Sequence, residues 1–400
     1  MSGSSDIRRP LGPGVGASAD GRGLVRRRRR WVAYGAGAVA LLLAGSGVAG
    51  WVLYAKLDGN ITPDEAAAAE LARYAKERPT ALVKDAQNVL LIGSDSRAGA
   101  DNGQYGTDSG TERSDTTILL HLSGGRHSAT AVSLPRDLMV DVPACRRRDG
   151  TRGAPMFAML NYAFETGGSA CTIRTVEKLT GVRIDHHVVV DFSGFKDLVD
   201  SVDGVQVCLP EPIVDRAAKL RLPAGRVTLN GEQALGYVRA RKSLGNGSDT
   251  ERMDRQQRFL AALVDKVQSN DILLNPVKLY PVLDAATSSL TTDPDLASLR
   301  GLYELVRGLR DIPTEQVQFL TVPRESYVYN ANRDQLLEPE AEKLFEQLRT
   351  DGPVRVSHRL PMKSGSAESG DHGPYGLRAA SPTPPAPTFR GNTAADDGCG

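Results

Sequence analysis

The sequence predicts an α/β domain, with helices packed on a central sheet, behind one N-terminal membrane-spanning helix. Three observations predict it. Short apolar runs of strand length alternate with longer helical patterns across residues 87–355. An uncharged stretch runs for 25 residues, from Trp31 to Ala55. Five consecutive arginines, Arg26 to Arg30, stand directly before it.

The bulk composition fits a folded chain. At 400 residues, 40% hydrophobic and 24% charged, the protein can bury a sizeable core. A formal net charge of +1 excludes a strongly basic nucleic-acid binder and an acidic disordered chain. That total hides an asymmetry. Eight arginines against two aspartates give residues 1–30 a charge of +6, which leaves −5 for the rest.

Taken in order, residues 1–30 are rich in Gly, Ser and Arg without periodicity and read as a disordered cytoplasmic leader. Residues 31–55 follow as the membrane span: about 37 Å of helix at 1.5 Å per residue, against roughly 30 Å of bilayer hydrocarbon. Trp31, Tyr34, Trp51 and Tyr54 sit near its ends, where amphipathic rings favour the interface. Arginines on the N-terminal side hold that side in the cytoplasm and send everything after Lys56 outside. A cleaved signal peptide, cut near Gly47-Val48-Ala49, is the rival reading. The long leader, and apolar character continuing to Tyr54, favour the anchor. The arginine run also reads as a nucleic-acid-binding arm, but its place against an apolar span makes topology the better explanation.

Residues 56–86 read as an extracellular helical stalk, with Thr62-Pro63-Asp64-Glu65 as the helix start. Residues 87–270 read as the catalytic domain and 271–356 as a C-terminal part packed on it. Val89–Ile92, Ile118–Leu120, His187–Val190 and Val317–Leu320 have strand character. Residues 169–180, 193–202, 231–240, 250–269 and 294–310 have helical patterns. Six Pro and seven Gly in the 44 residues 357–400 make that segment a disordered tail.

The cysteines suit an oxidising location. Cys145 and Cys171 bracket a loop-helix segment; pairing them closes a loop of about 26 residues and contributes about 3 kcal/mol. Cys208 lies in an apolar run and reads as a plain buried thiol, and Cys399 falls in the tail. No Cys-x-x-Cys pair is present, which argues against a zinc cluster or a redox motif.

Chemistry concentrates in short polar segments at strand ends. Asp95 and Arg97 stand two apart just after an apolar strand, and Arg113 and Asp115 two apart just before one. Residues two apart on a strand share a face. Converging carboxylates from Asp95 and Asp115 would make a hard-oxygen site suited to Mg²⁺ or Mn²⁺. Arginine rather than lysine at Arg97, Arg113, Arg136, Arg239, Arg241 and Arg252 supplies planar forks that grip phosphate oxygens. Any one of them alone reads better as a surface or structural ion pair, whereas six together favour a common anionic ligand. Arg252 and Gln256 are i,i+4 neighbours, and Leu260, Leu263, Val264 and Val267 continue their helix face. That face is either ordinary helix-on-sheet packing or the wall of a site for a ligand with a charged head and a lipid tail.

Other chemistries lack their signatures. There is no Gly-x-Ser-x-Gly elbow and no Gly-Lys-Ser/Thr phosphate loop. His186 and His187 are adjacent in a strand, so their side chains diverge, and no His-Glu-x-x-His is present.

In this order behind an N-terminal anchor, the segments resemble the LytR-CpsA-Psr family of bacterial cell-wall proteins, of actinobacterial type. The resemblance runs from about Asn88 to Leu260. It rests on Leu90–Arg97, Arg113–Thr116, Ser133–Asp137, Lys178–Gly181, Ile184–His186 and Val190–Phe195, then on Leu222–Gly225, Leu229–Leu235, Tyr237–Arg241 and Arg255–Arg258. It implies an extracellular domain with a central mixed β-sheet flanked by helices. It also implies a metal-dependent glycopolymer phosphotransferase. Such an enzyme moves a glycopolymer from a polyprenyl-pyrophosphate carrier to a peptidoglycan hydroxyl, forming a phosphodiester and releasing polyprenyl phosphate. Carried over, Asp95 and Asp115 would hold Mg²⁺ or Mn²⁺, and Arg113, Arg136, Arg239, Arg241, Arg252 and Gln256 would contact the pyrophosphate. Arg97 would support them, and Asp249 would steer or deprotonate the attacking hydroxyl. The polyprenyl chain would lie between sheet and helices. Two departures stand out: Ala98–Thr111 forms a Gly- and Asp-rich loop of lid type, and Met159 precedes Leu160-Asn161 where the family more usually has lysine. A pyrophosphate hydrolase using the same site and a membrane-bound transcription regulator are the competing readings. The second needs cytosolic DNA contact, and no helix-turn-helix pattern is evident.

Overall fold

The computed structural model describes residues 21–95, 114–215, 218, 220–240, 249–268, 275–357 and 386–396. The chain divides into two units, Met1–Lys56 and Leu57–Gly400. Helix α1 runs from Gly21 to Asn60. Its stretch Tyr34–Asn60 is, among the described residues, the one helix long and apolar enough to cross a membrane. The arginine run therefore continues the helix, where a disordered leader was expected. Arginine and leucine are good helix formers, and extending an existing helix avoids the cost of nucleating one.

The second unit opens with β1 (Thr62–Pro63) and α2 (Glu65–Arg73), then β2 (Gln87–Ser94), β3 (Ser114–Leu122) and β4 (Ala129–Leu134). A small hairpin of β5 (Met139–Val142) and β6 (Met156–Met159) leads to α3 (Asn161–Thr180), β7 (His186–Val190) and α4 (Phe192–Ser201). Short strands β8 (Val205–Leu209), β9 (Ile213–Asp215), β10 (Leu220–Leu222) and β11 (Gly225–Leu229) precede α5 (Gly231–Arg239) and α6 (Asp249–Gln268). Next come α7 (Pro276–Ser289), β12 (Leu290–Thr292), α8 (Leu299–Arg310) and β13 (Val317–Thr321). The chain closes with β14 (Arg324–Tyr327), β15 (Asn330–Leu336), α9 (Glu340–Thr350), β16 (Arg355–Ser357) and β17 (Thr388–Thr393).

Nine strands form one mixed sheet, in the order β1-β12-β7-β2-β3-β4-β13-β17-β16. β2 runs parallel to β7 and antiparallel to β3, and β4 runs antiparallel to β3 and parallel to β13. Alternation along the strands divides the core. Leu90, Ile92, Leu119 and Val132 pack in one cluster with residues of α2, α3 and α9. Ile118, Ala131 and Phe319 pack in another with Ala261 of α6 and with α8. The sheet is thus covered on both faces, as an α/β layer arrangement requires.

Three boundaries differ from the sequence reading. The expected stalk is part of the folded unit: Asp64 caps α2 by accepting from Ala67 N, and Ala67 and Leu71 enter the core. Residues 271–356 supply β12 and β13 to the main sheet, so they complete the domain where an added part was expected. The expected disordered tail contains β17, antiparallel to β13 and parallel to β16, with Phe389 buried in the core. Cys145 and Cys171 are bonded, with Cα atoms 5.6 Å apart. Cys208 is disulfide-bonded too, which corrects its reading as a plain thiol.

Candidate functional site

A cavity of about 870 Å³ opens at the C-terminal ends of β2, β4 and β7 and runs inward between the sheet and α4, α5 and α6. Crevices at that end of a sheet are where α/β folds hold ligands. Its mouth is polar and its throat apolar.

A break in strand register builds the mouth. Gly93 pairs with Thr116 and Ser94 with Ser114, which leaves Asp115 as the extra residue of a bulge. Bulges re-aim side chains. Asp115 Oδ1 accepts a hydrogen bond from Arg136 Nη1 at 2.8 Å, and Asp95, the residue after β2, lines the same mouth. Arg136 Nε lies 3.5 Å from Asp137 Oδ2, and Asp137 Oδ1 lies 3.7 Å from Arg333 Nη1 on β15. The result is an alternating chain of half-buried charges: Asp115, Arg136, Asp137, Arg333. Beside it, Asn161 Oδ1 is buried with no hydrogen-bond partner among the described residues.

Helices bring the remaining cations. Asn230 caps α5 in a reciprocal pair with Gln233. Gly231 N donates to Asp200 Oδ1 at 2.7 Å, and a Cβ on Gly231 would stand 2.4 Å from Lys196 O. Only glycine lets α5 start so close to α4. α5 ends at Arg239, whose guanidinium carbon lies 4.5 Å from the centre of the Phe192 ring. Stacking on an aromatic face fixes the plane of a guanidinium. Phe192 in turn begins α4, which Asp191 caps by accepting from Gly194 N at 2.8 Å.

On α6, Arg252 is buried and Gln256 Nε2 donates to Val238 O at 3.2 Å and to Thr116 Oγ1 at 3.5 Å. Those bonds tie α6 to the chain of α5 and to β3. Arg255 donates through Nη2 to Ala240 O, just where α5 ends, and burial lowers its guanidinium pKa from the ordinary value. Burial also raises the phenol pKa of Tyr237.

Below the mouth the lining turns apolar: Leu91 and Ile118 from the sheet, Phe192, Phe195 and Leu198 from α4, and Phe259, Leu260 and Leu263 from α6. The Phe195 and Phe259 rings are tilted with centres 5.4 Å apart. The α6 face therefore runs from Arg252 and Gln256 through Leu260 and Leu263 along one cavity wall. Val264 and Val267, read on the same face, pack in the same core clusters as Leu260 and Leu263 but stand behind the cavity lining.

Of the residues singled out by sequence, Asp95, Asp115, Arg136, Arg239, Arg252 and Gln256 meet at this cavity. Arg97, Arg113, Arg241 and the lid-type loop lie outside the described residues, as does the side chain of Asp249, which begins α6. Sequence reading missed Asp137, Asn161, Asp191 and Arg333. Asp137 and Asp191 sit inside motifs already quoted, but Arg333 comes from a hairpin far down the chain and had no local signal. Met159, at the position where lysine is more usual, also lines the cavity. His186 and His187 diverge as expected of strand neighbours: His186 Nδ1 lies 3.1 Å from Asp293 Oδ1, and His187 Nε2 lies 3.3 Å from Asp64 Oδ2.

Comparison with known proteins gives a consistent result. The LytR_cpsA_psr family model matches residues 58–350. The probable cell wall biosynthesis protein LcpB of Corynebacterium glutamicum is 38% identical over 210 residues, 51% of this chain and 47% of that protein. The chain thus spans about half the length of this relative. The polyisoprenyl-teichoic acid–peptidoglycan teichoic acid transferase TagT of Bacillus subtilis is 28% identical over 326 residues, 79% of this chain and 94% of that protein. Among solved structures, Bacillus subtilis TagV superposes with a TM-score of 0.53 at 25% identity, covering 68% of this chain and 100% of that one.

Proposed function

The chain belongs to the LytR-CpsA-Psr family, and from that premise we propose that it transfers a glycopolymer from a polyprenyl-pyrophosphate carrier to a peptidoglycan hydroxyl. One observation carries the reading: a single cavity joins a charged mouth to an apolar throat. A lipid pyrophosphate has the same two parts in the same order.

The chemistry follows from the mouth. The acceptor oxygen attacks the glycan-side phosphorus, the bond to the bridging oxygen breaks, and polyprenyl phosphate leaves. Two negative charges on the pyrophosphate oppose that attack, and a third develops on the leaving oxygen. Arg136, Arg239 and Arg252 offset them with guanidiniums already oriented by Asp115, by Phe192 and by burial in α6. Gln256, locked between Val238 and Thr116, keeps α6 in register with the mouth. Arg97, Arg113 and Arg241 are assigned to the same head group by the family resemblance, and Asp249 to the hydroxyl proton.

A divalent cation fits the mouth. Among the described residues no group of three or more His, Cys, Asp or Glu could hold a metal. Mg²⁺, however, is commonly held by one or two carboxylates with substrate phosphates completing the shell. Asp95 and Asp115 would be those two carboxylates, and the ion would supply charge neutralisation at the pyrophosphate. The helix Tyr34–Asn60 would anchor the protein, with the arginine run inside and the domain outside. A disulfide between Cys145 and Cys171 supports that side.

The test is reconstitution. Full-length protein in detergent, given a lipid-linked glycan and peptidoglycan, should yield phosphodiester-linked product and polyprenyl phosphate in equal amounts, and chelation should suppress both. Polyprenyl phosphate released without linked product would make the protein a hydrolase.

A further inference from the structure

A second cleft, of about 930 Å³, meets the first at the mouth: Ser94 and Asp191 line both. The transfer reading leaves it without a role. Its walls mix small apolar residues with hydroxyls, Ser169, Ser193, Ser289 and Thr291 among them, and Arg146, Arg147 and Arg148 stand at one side. Residues 31–400 carry a net −5, so three successive cations are a local exception.

The loop that carries them is built to hold its shape. Cys145, directly before the triplet, is bonded to Cys171 on α3. Arg146 pairs with Arg152 across an antiparallel bridge. Arg147 N donates to Thr151 O at 2.7 Å, and Gly150 N donates back to Arg147 O at 2.9 Å. Helix α3 makes room for this loop by breaking at Gly167 and Gly168. A Cβ on Gly167 would stand 2.8 Å from Arg146 O and 2.9 Å from Cys171 Cβ, so only glycine admits the disulfide and the loop together. Gly168, at φ +61, faces open space where it lines the cleft.

Four acidic residues line the cleft, Asp64, Glu70, Asp191 and Asp197, and the first three are engaged within the fold. Glu70 pairs with Arg73 at 3.0 Å, Asp64 caps α2 and meets His187, and Asp191 caps α4. Arg146 and Arg147 are exposed. The acidic neighbour of Arg147 is Asp149 of the same loop, whose carboxylate also accepts from Thr151 N at 2.8 Å. Exposed guanidiniums on a fixed loop, over a shelf of small residues and hydroxyls that leads to the reacting end of another cavity, suit a hydroxyl-rich ligand bearing carboxylates.

We infer that this cleft is the acceptor subsite: Arg146 and Arg147 hold carboxylates of a peptide-bearing glycan strand while one of its hydroxyls passes Ser94 and Asp191 into the mouth. The inference rests on the transferase reading above. It explains why the two clefts join only at the polar rim, since donor lipid and acceptor strand must meet at one phosphorus and nowhere else.

The experiment uses soluble peptidoglycan fragments released by a muramidase, in native form and with their carboxylates amidated. Binding to full-length protein is measured by calorimetry, and donor and acceptor KM are measured separately in the transfer assay. Replacing both residues, Arg146→Ala with Arg147→Ala, should weaken native-fragment binding about ten-fold and abolish the preference for native over amidated fragments. Acceptor KM should rise in parallel, while donor KM and melting temperature stay unchanged. The paired Arg146→Lys and Arg147→Lys variant should recover part of the binding. Unchanged fragment binding, or an effect on donor KM in place of acceptor KM, overturns the subsite. Wild-type protein that binds fragments through these arginines yet never transfers would leave the subsite standing and remove the transferase reading.

Discussion

The mouth and the throat of the main cavity are made of the same elements but held by different forces. The mouth is a chain of paired charges at strand ends, each side chain partly open to water. The throat is core: Phe259 is fully buried, and Phe195 packs against it. Charges at the mouth are oriented by neighbours rather than by dense packing, so replacing one changes what is bound more than whether the chain folds. The throat cannot be altered so freely, because its walls also close the sheet against α4 and α6.

Replacing residues at each end tests that contrast. The largest effect on the fold is expected from Phe259→Ala, which should cost about 3–5 kcal/mol in a urea titration. Loss below 1 kcal/mol would mean that the throat is not core. Arg136→Ala should lower transfer by about 10²–10³-fold, equivalent to roughly 3–4 kcal/mol of barrier, with the urea midpoint almost unmoved. A large stability loss there would erase the distinction between the two ends. Leu263→Trp narrows the throat without touching a charge. Affinity for a long-chain polyprenyl pyrophosphate should fall about ten-fold, while that for inorganic pyrophosphate holds steady.

The smallest effect concerns pH. Burial opposes protonation of His186, but the hydrogen bond and charge of Asp293 outweigh it and raise the imidazole pKa. Burial likewise opposes ionisation of Asp293, and bonds from His186 and from His187 N outweigh it and lower the carboxyl pKa. Stability from the histidine is therefore complete below its ordinary 6.5 and is lost as pH rises through the raised value. Stability from the carboxylate is present above 3.8 and is lost as pH falls through the lowered value. His121 works in the opposite sense, because burial lowers its pKa. Comparing wild type with His186→Gln isolates the pair: the variant should lose at most about 1 kcal/mol at pH 5–6 and converge with wild type at alkaline pH. A difference that instead grows toward alkaline pH would contradict the sign.

Much of the mouth was legible because its residues come in short segments. Asp95, Asp115, Arg239 and Arg252 each stand near the end of a strand or helix that periodicity already marks, and Arg136 stands in a short polar segment quoted for its charges. The bulge that isolates Asp115 was not legible, since it depends on two strands slipping by one residue. Arg333 was not legible either, because nothing nearby distinguishes it from a surface arginine until the hairpin folds back on Asp137. In the throat, the elements that carry Leu91, Ile118 and Phe195 were marked, but only the α6 stripe joined polar and apolar lining on one face; the convergence of the others depends on the fold. β17 escaped because six strand residues are averaged into a Pro- and Gly-rich segment, and only its pairing with β13 and β16 defines it. The break in α3 hid the helix's first turns behind a glycine pair that reads as a loop.

If one cavity takes a pyrophosphate at its mouth and the attached lipid in its throat, affinity must depend on the length of that lipid. Calorimetric titration of full-length protein with polyprenyl pyrophosphates of increasing chain length tests it most directly. Affinity should rise with each isoprene unit until the throat is filled and then level off, with the rise abolished in Leu263→Trp. Affinity independent of chain length in the wild-type protein would contradict the claim.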